Sequence, residues 1–175
     1  SLDVRNPSGQ YLTRLCQNQV RQCATQGTCL VRGAGLPLTL RFAGKRSSGE
    51  YTFNATTQPK CRYSSGRNET CLVPYKSVAA DSKFFKTCEV LYIPSIRGTP
   101  LGNGKNHDGF VVVTDTGVKG PQALDFFLGF DDYKNRSNPF IRAGLGDPNS
   151  KIKIFRVKAE RTREELSHYN FDCGS

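Results

Sequence analysis

Two aspartates ten residues apart sit at the edges of apolar runs, Asp115 after Phe110-Val111-Val112-Val113-Thr114 and Asp125 between Ala123-Leu124 and Phe126-Phe127-Leu128. Carboxylates are costly to take out of water, so two of them at strand edges call for a reason. Between them, Asp115-Thr116-Gly117-Val118-Lys119-Gly120-Pro121 has the glycine and proline content of a tight connection that folds one strand back toward the other. Such a fold brings both acids into one site. An aspartate ahead of Thr-Gly often only forms a turn, but Asp125, flanked by Leu124 and two phenylalanines, is not explained that way. Lys119 fits a substrate contact or an ordinary solvated side chain.

Other chemistries find little support. His107 and His168 have no serine or cysteine beside them that forms a nucleophile and base pair. His107-Asp108 lacks further spaced metal ligands, and the cysteines are spread out instead of forming CxxC pairs, so no zinc and no cofactor is expected. Carboxylate chemistry remains, and cleavage of a glycosidic bond is its natural task. A partly buried acid of raised pKa can protonate the leaving oxygen near neutral pH.

The elements that must hold these acids read as mainly β. Leu12, Leu15, Cys16, Val20 and Cys23 fall near helical spacing, which predicts a short amphipathic helix over 11–23 with Cys16 and Cys23 inward. After Gly33-Ala34-Gly35 the pattern turns to strands at Leu36 to Phe42 and Glu50 to Ala55, then to a polar loop from Gln58 held by Cys61 and Cys71. Strands follow at Cys88 to Pro94, from Phe110, from Leu124 and, with the cleanest alternation, over Lys151 to Lys158. Tyr92 reads as core or groove wall, and Asp131-Asp132 as a surface pair. Thr162 and Glu165 are spaced as a capping box for a terminal helix. Short strands with irregular connections and little helix suit a small barrel.

A length of 175 residues fits one domain, and no apolar run approaches membrane-spanning length. The start, Ser1-Leu2-Asp3-Val4, carries no signal-type apolar region, and the absence of methionine suggests a mature or trimmed chain. Seven cysteines, with spacings at Cys23/Cys29 and Cys61/Cys71 that suit stapled loops, point to an oxidising compartment such as the periplasm or the exterior. The odd count leaves at least one unpaired. Glycosylation triplets at Asn54, Asn68 and Asn135 carry little weight. A net charge of +10 with pI near 9.4 fits an anionic partner and, on charge alone, equally a surplus of Lys and Arg that only maintains solubility. The basic residues are scattered without a nucleic-acid signature, so an acidic extracellular polymer such as peptidoglycan fits better than nucleic acid.

Three segments carry a family likeness. Val90-Leu91-Tyr92-Ile93-Pro94, then Asp115-Thr116-Gly117-Val118-Lys119-Gly120, then Leu124-Asp125-Phe126-Phe127-Leu128-Gly129 resemble the three-aspartate ("3D") domain of MltA-like lytic transglycosylases. Asp81 stands where that family has its first aspartate, and Arg142-Ala143-Gly144 with Ile154-Phe155-Arg156-Val157 looks like its last loop and strand. The resemblance spans roughly Asp81 to Lys158, with the Asp-Thr-Gly loop shorter than the family's. It implies a six-stranded double-psi β-barrel. With the residue pattern, the expectation is an all-β chain: that barrel over 36–160, a disulfide-stapled helical or loop extension over 1–35 and a helical tail over 161–175. The resemblance implies cleavage of the MurNAc-β1,4-GlcNAc bond of peptidoglycan to a 1,6-anhydro end, by a secreted or periplasmic monomer. Asp125 is the expected acid and base, Asp115 its neighbour, Asp81 a supporting hydrogen-bonding group, and Thr116, Gly117 and Lys119 substrate contacts. The same barrel serves in expansin-like and barwin-like proteins, so a non-catalytic wall-binding module is the alternative.

Overall fold

The computed structural model describes residues 1–31, 38–56, 60–61, 63–101, 104–121, 123–129, 138–145, 147 and 151–173. Gly33-Ala34-Gly35, Asp131-Asp132 and Asn135 lie outside them. The chain divides into two compact units, Ser1–Ser64 and Ser65–Ser175. It is mainly β, with a five-stranded sheet in each unit.

In the first unit, strands β1 (Leu2–Arg5), β2 (Tyr11–Leu15), β3 (Thr28–Val31), β4 (Leu38–Lys45) and β5 (Tyr51–Thr56) pair in the order β2-β1-β5-β4-β3. The helix expected over 11–23 is therefore displaced. Tyr11–Leu15 is a strand, and helix α1 runs Gln17–Gln26. Asn6-Pro7-Ser8-Gly9-Gln10 explains the change: Gly9 has φ +96° and donates its amide to the Asn6 carbonyl, closing a hairpin that pairs Leu2 with Leu15. Cross-strand pairing outweighs the weak helical spacing of Leu12 and Leu15. Cys16, expected inward, lies exposed and free just before α1, whereas Cys23 is buried and bonded to Cys29. Val4, Leu15, Val20, Cys23, Leu40 and Phe53 form this unit's core. The strands expected at 36–42 and 50–55 are β4 and β5. They pair with β3 and β1, and so belong to this unit.

In the second unit, β6 (Ser77–Ala80), β7 (Val90–Tyr92), β8 (Phe110–Thr116), β9 (Leu124–Phe126) and β10 (Phe155–Arg156) pair in the order β10-β7-β8-β6-β9. All pairs are antiparallel except β6 with β8. The run Val111-Val112-Val113 is wholly buried because the sheet is covered on both faces. Val78, Ala80, Leu91, Val111 and Val113 meet Phe85, Ile93, Ile96 and Phe140 on one side. On the other, Val90 and Val112 meet Phe171, Leu166 and Tyr169. The alternation over Lys151 to Lys158 yields only the two-residue β10, with Ile152 and Ile154 packed on the core as loop residues. Helix α2 is Pro139–Arg142, and α3 is Ala159–His168. The capping box expected at Thr162 is not used, since α3 starts three residues earlier and the Thr162 hydroxyl donates to the Lys158 carbonyl at 3.1 Å.

A buried polar network ties the tail to this sheet. The Lys76 ammonium pairs with Asp108, donates to the Phe110 carbonyl at 3.0 Å and stacks 4.1 Å from the centre of the Tyr169 ring. Tyr169 donates to the other oxygen of Asp108 at 2.5 Å. Burial pushes Asp108 upward, but the hydrogen bonds from Lys76, Tyr169 and the Phe110 amide together hold its pKa below the usual value. Cys88 and Cys173 add a covalent tie across 85 residues. Cys23, Cys29, Cys61, Cys71, Cys88 and Cys173 are all disulfide-bonded, which is compatible with a secreted protein. No helix among the described residues is long and apolar enough to cross a membrane.

His107 is 1% exposed, accepts the Gly109 amide on Nδ1 and lies 2.8 Å from the Tyr75 carbonyl through Nε2. Those contacts need the neutral ring, and burial, aided by the Lys76 charge, lowers its pKa from 6.5 to about 4. The unfolded chain takes up this proton below about pH 6.5, while the folded chain does so only near 4. Stability is thus fully present above 6.5 and falls through that window, by up to roughly 3 kcal/mol. We predict that urea midpoints measured between pH 7 and pH 4 decline for the wild type and flatten in His107→Gln.

Candidate active site

The three aspartates gather at the end of β6. Ala79 is paired with Asp115 of β8 on one side and with Asp125 of β9 on the other. Residues opposite one another in a sheet point to the same face, so Asp115, Ala79 and Asp125 form a row with the acids two strand spacings apart, about 10 Å between their Cα atoms. Ala79 is too small to screen one acid from the other. The next pairs in register, Ala80 with Thr116 and Ala80 with Leu124, lead directly to Asp81.

The environments of the three differ. Asp125 has its pKa raised, first by burial of its carboxyl and second by the charge of Asp115. The residue as a whole is nonetheless exposed, where the sequence reading expects a partly buried acid. Water that reaches the side chain screens part of both effects. Asp115 is half-buried and accepts the Thr116 amide on Oδ1 at 2.8 Å.

Asp81 is a different kind of acid. It accepts the Gly120 amide at 2.8 Å through Oδ2 and the Lys83 amide at 2.9 Å through Oδ1. These bonds, the Gly120 one foremost, lower its pKa. Asp81 therefore stays ionised and anchors the connection between β8 and β9. Gly120 sits at φ +100°, a backbone that favours glycine and turns its amide toward the carboxylate.

Of the expected substrate contacts, Thr116 ends β8, while Gly117 and Lys119 lie exposed on the connection that Asp81 holds. Gly117 has φ +133°. The structure thus brings together Asp81, Asp115, Asp125 and the Thr116–Gly120 segment. His107 and Asp108 belong to the buried network that holds the tail. No cluster of three or more potential metal ligands occurs among the described residues.

Sequence reasoning missed Ala79 as the centre of the row and β6 as a strand. Four residues, Ser77-Val78-Ala79-Ala80, are too few for a periodic signal. Compared with family models and with curated proteins, the chain matches none.

The geometry gives Asp125 one charged neighbour that raises it, and removing that charge leaves the burial contribution in place. In Asp115→Asn the pKa of Asp125, followed by the carbon-13 shift of its carboxyl, is expected to fall while staying above the ordinary aspartate value. An unchanged titration would show that the two acids do not sense each other.

Proposed function

We propose that the second unit is a lytic transglycosylase domain that cuts the MurNAc-β1,4-GlcNAc bond of peptidoglycan and leaves a 1,6-anhydro end. The observation that carries this reading is the Asp115–Ala79–Asp125 register, which sets two acids on one sheet face and gives one of them a raised pKa. The likeness of the Asp-Thr-Gly…Lys-Gly and Leu-Asp-Phe-Phe segments to the 3D domain points the same way, and the parallel β6–β8 pair within an otherwise antiparallel sheet is in keeping with a double-psi barrel.

Asp125, whose pKa is raised by burial of its carboxyl and by the Asp115 charge, donates its proton to the glycosidic oxygen as the bond breaks. The 6-hydroxyl of the same MurNAc then attacks its own anomeric carbon and returns a proton to the Asp125 carboxylate. The acid is thereby restored, and water takes no part. Asp115 contributes a negative charge to the oxocarbenium-like transition state. Asp81, through Gly120, fixes the segment from which Thr116, Gly117 and Lys119 reach the sugar. No cofactor is required.

Charge supports an anionic wall polymer as the partner. The first unit holds nine Lys and Arg against Asp3 and Glu50 alone, so it carries +7 of the chain's +10. A basic unit of this kind retains the enzyme on a polymer whose peptide stems bear carboxylates. Retention should weaken as salt is raised, because exposed charges are screened over about 8 Å at physiological ionic strength. Disulfides fit work outside the cytoplasm.

Purified protein incubated with sacculi should release anhydro-ended muropeptides, read by mass spectrometry. Asp125→Asn should lower that release by on the order of 100- to 10,000-fold while still pelleting with sacculi. Products with reducing ends would identify a hydrolase instead. Binding without any product would identify a wall-binding module of the expansin or barwin kind.

A further inference from the structure

Strand β8 carries one more residue than β6 where the two run side by side. Val78 lies opposite Val113, but Ala79 lies opposite Asp115, so Thr114 is unmatched. Side chains alternate faces along a strand, and a shift of one residue sends each to the other side. With regular pairing Ala79 would face Thr114, and Asp115 would share the face of Val78 and Val113, which is the apolar core. The extra residue instead places Asp115 beside Ala79, on the face of Asp125. Bulges are used next to active sites to re-aim a side chain in this way.

Something must hold the extra residue, because a bulge interrupts the ladder. Thr114 is fully buried, and its own hydroxyl has no hydrogen-bond partner. Gly66 lies against it. A Cβ at Gly66 would collide with the Thr114 carbonyl oxygen and come within 3.0 Å of the carbonyl carbon and 3.1 Å of Leu72 Cδ2. Gly66 has φ −87°, so no left-handed backbone requires glycine here. The close approach does. Gly66 is itself fixed: its amide donates to the Thr70 carbonyl at 2.9 Å inside a turn closed by the Ser65–Cys71 bridge. Thr70, fully buried, donates its hydroxyl to the Asp172 carbonyl at 3.0 Å.

We propose that Gly66 is a positioning residue: its bare backbone clamps the Thr114 bulge and so keeps Asp115 on the same sheet face as Asp125. Its effect on turnover rests on the transglycosylase reading, but its effect on the acids does not. Asp115 on β8 is the charge that acts on Asp125. Asp81 at the end of β6, with Lys83 and Lys119 near it, is engaged with its own two amides. A methyl group at position 66 pushes on β8, irons out the bulge and turns Asp115 away.

The test is the carboxyl titration of Asp125 in the full chain, without substrate. In Gly66→Ala its pKa should drop in the same direction as in Asp115→Asn, and where the wild type is active the alkaline limb of its pH profile should move to lower pH, with turnover reduced on the order of 10- to 100-fold. Thr114→Val keeps the bulge and removes only the unpartnered hydroxyl, so the titration should stay at the wild-type position. A folded Gly66→Ala protein in which Asp125 titrates as in the wild type overturns the proposal, as does a shift in Thr114→Val. If Gly66→Ala does not fold, Thr70→Val loosens the same turn from behind. A smaller drop supports the clamp there, and an unchanged titration rejects it. Failure of the wild type to form anhydro products counts against the enzymatic reading alone, since the titration needs no turnover.

Discussion

Two like charges on one sheet face repel, and what keeps these two there is the pairing of a single four-residue strand. β6 is hydrogen-bonded on both sides, to β8 and to β9, and Ala79 is the residue that both acids flank. A repulsion large enough to move a pKa by one unit is worth about 1.4 kcal/mol. Burying one valine such as Val78, which is 1% exposed, is worth about 1.5–3 kcal/mol, before any ladder hydrogen bond is counted. Sheet pairing therefore wins, and the repulsion is expressed as a raised pKa on Asp125 instead of as a displaced strand. Register thus adds to the larger effect of burial in raising the Asp125 pKa.

That register has to be rigid, and the unit is braced from its far end. Val111, Val112 and Val113 are gripped between two apolar layers, one built from Phe85, Ile93, Ile96 and Phe140, the other from α3 and the tail. Lys76, directly before β6, is 5% exposed and satisfied by Asp108 and the Phe110 carbonyl. Without Asp108 the buried Lys76 ammonium would lose its counter-charge, so the pair fixes where β6 begins relative to β8. The Cys88–Cys173 bond, closing 85 residues, removes chain entropy from the unfolded state worth about 4–5 kcal/mol. Cys88 also donates its amide to Val113 at 2.7 Å, so the covalent tie ends on β8 one residue before the bulge.

Much of the second unit was legible because burial and turn chemistry write themselves into composition. The run Phe110 to Thr114, the proline that ends β7 and the glycines between Asp115 and Asp125 were read from residue type, and β7, β8 and β9 lie there. Strand pairing was not legible, because it depends on contacts between distant segments. Tyr11–Leu15 looked helical until β1 claimed it, and Lys151 to Lys158 looked like a full strand while only Phe155 and Arg156 find partners, in Tyr92 and Leu91. Asp115 and Asp125 could be picked out as costly acids, but their common face depends on Thr114 being unmatched. A single residue in excess leaves no mark in hydrophobic periodicity. Gly66 was equally hidden, since a glycine in a polar loop reads as a turn former and here serves a close approach.

The charge of the two units is uneven, and the proposed chemistry gives that difference a use. A carboxyl whose pKa is raised by a negative neighbour is brought back down by any cation close to it, so a surplus of lysine and arginine around the acid row would undo the effect of register. The second unit has sixteen Lys and Arg against thirteen Asp and Glu, and several of these are consumed in pairs: Lys76 with Asp108, Arg156 with Glu89, Arg161 with Glu164 and Glu165. The surplus in the second unit is thus only +3, against +7 in the first. The uncompensated cations that would attract the proposed anionic polymer are mainly in the first unit, where Asp3 and Glu50 are the only acids. On the proposed reading, most of the surplus positive charge lies in one unit and the acid row in the other, so the chain attracts a carboxylate-rich polymer without adding that surplus to the unit whose proton donor needs a raised pKa.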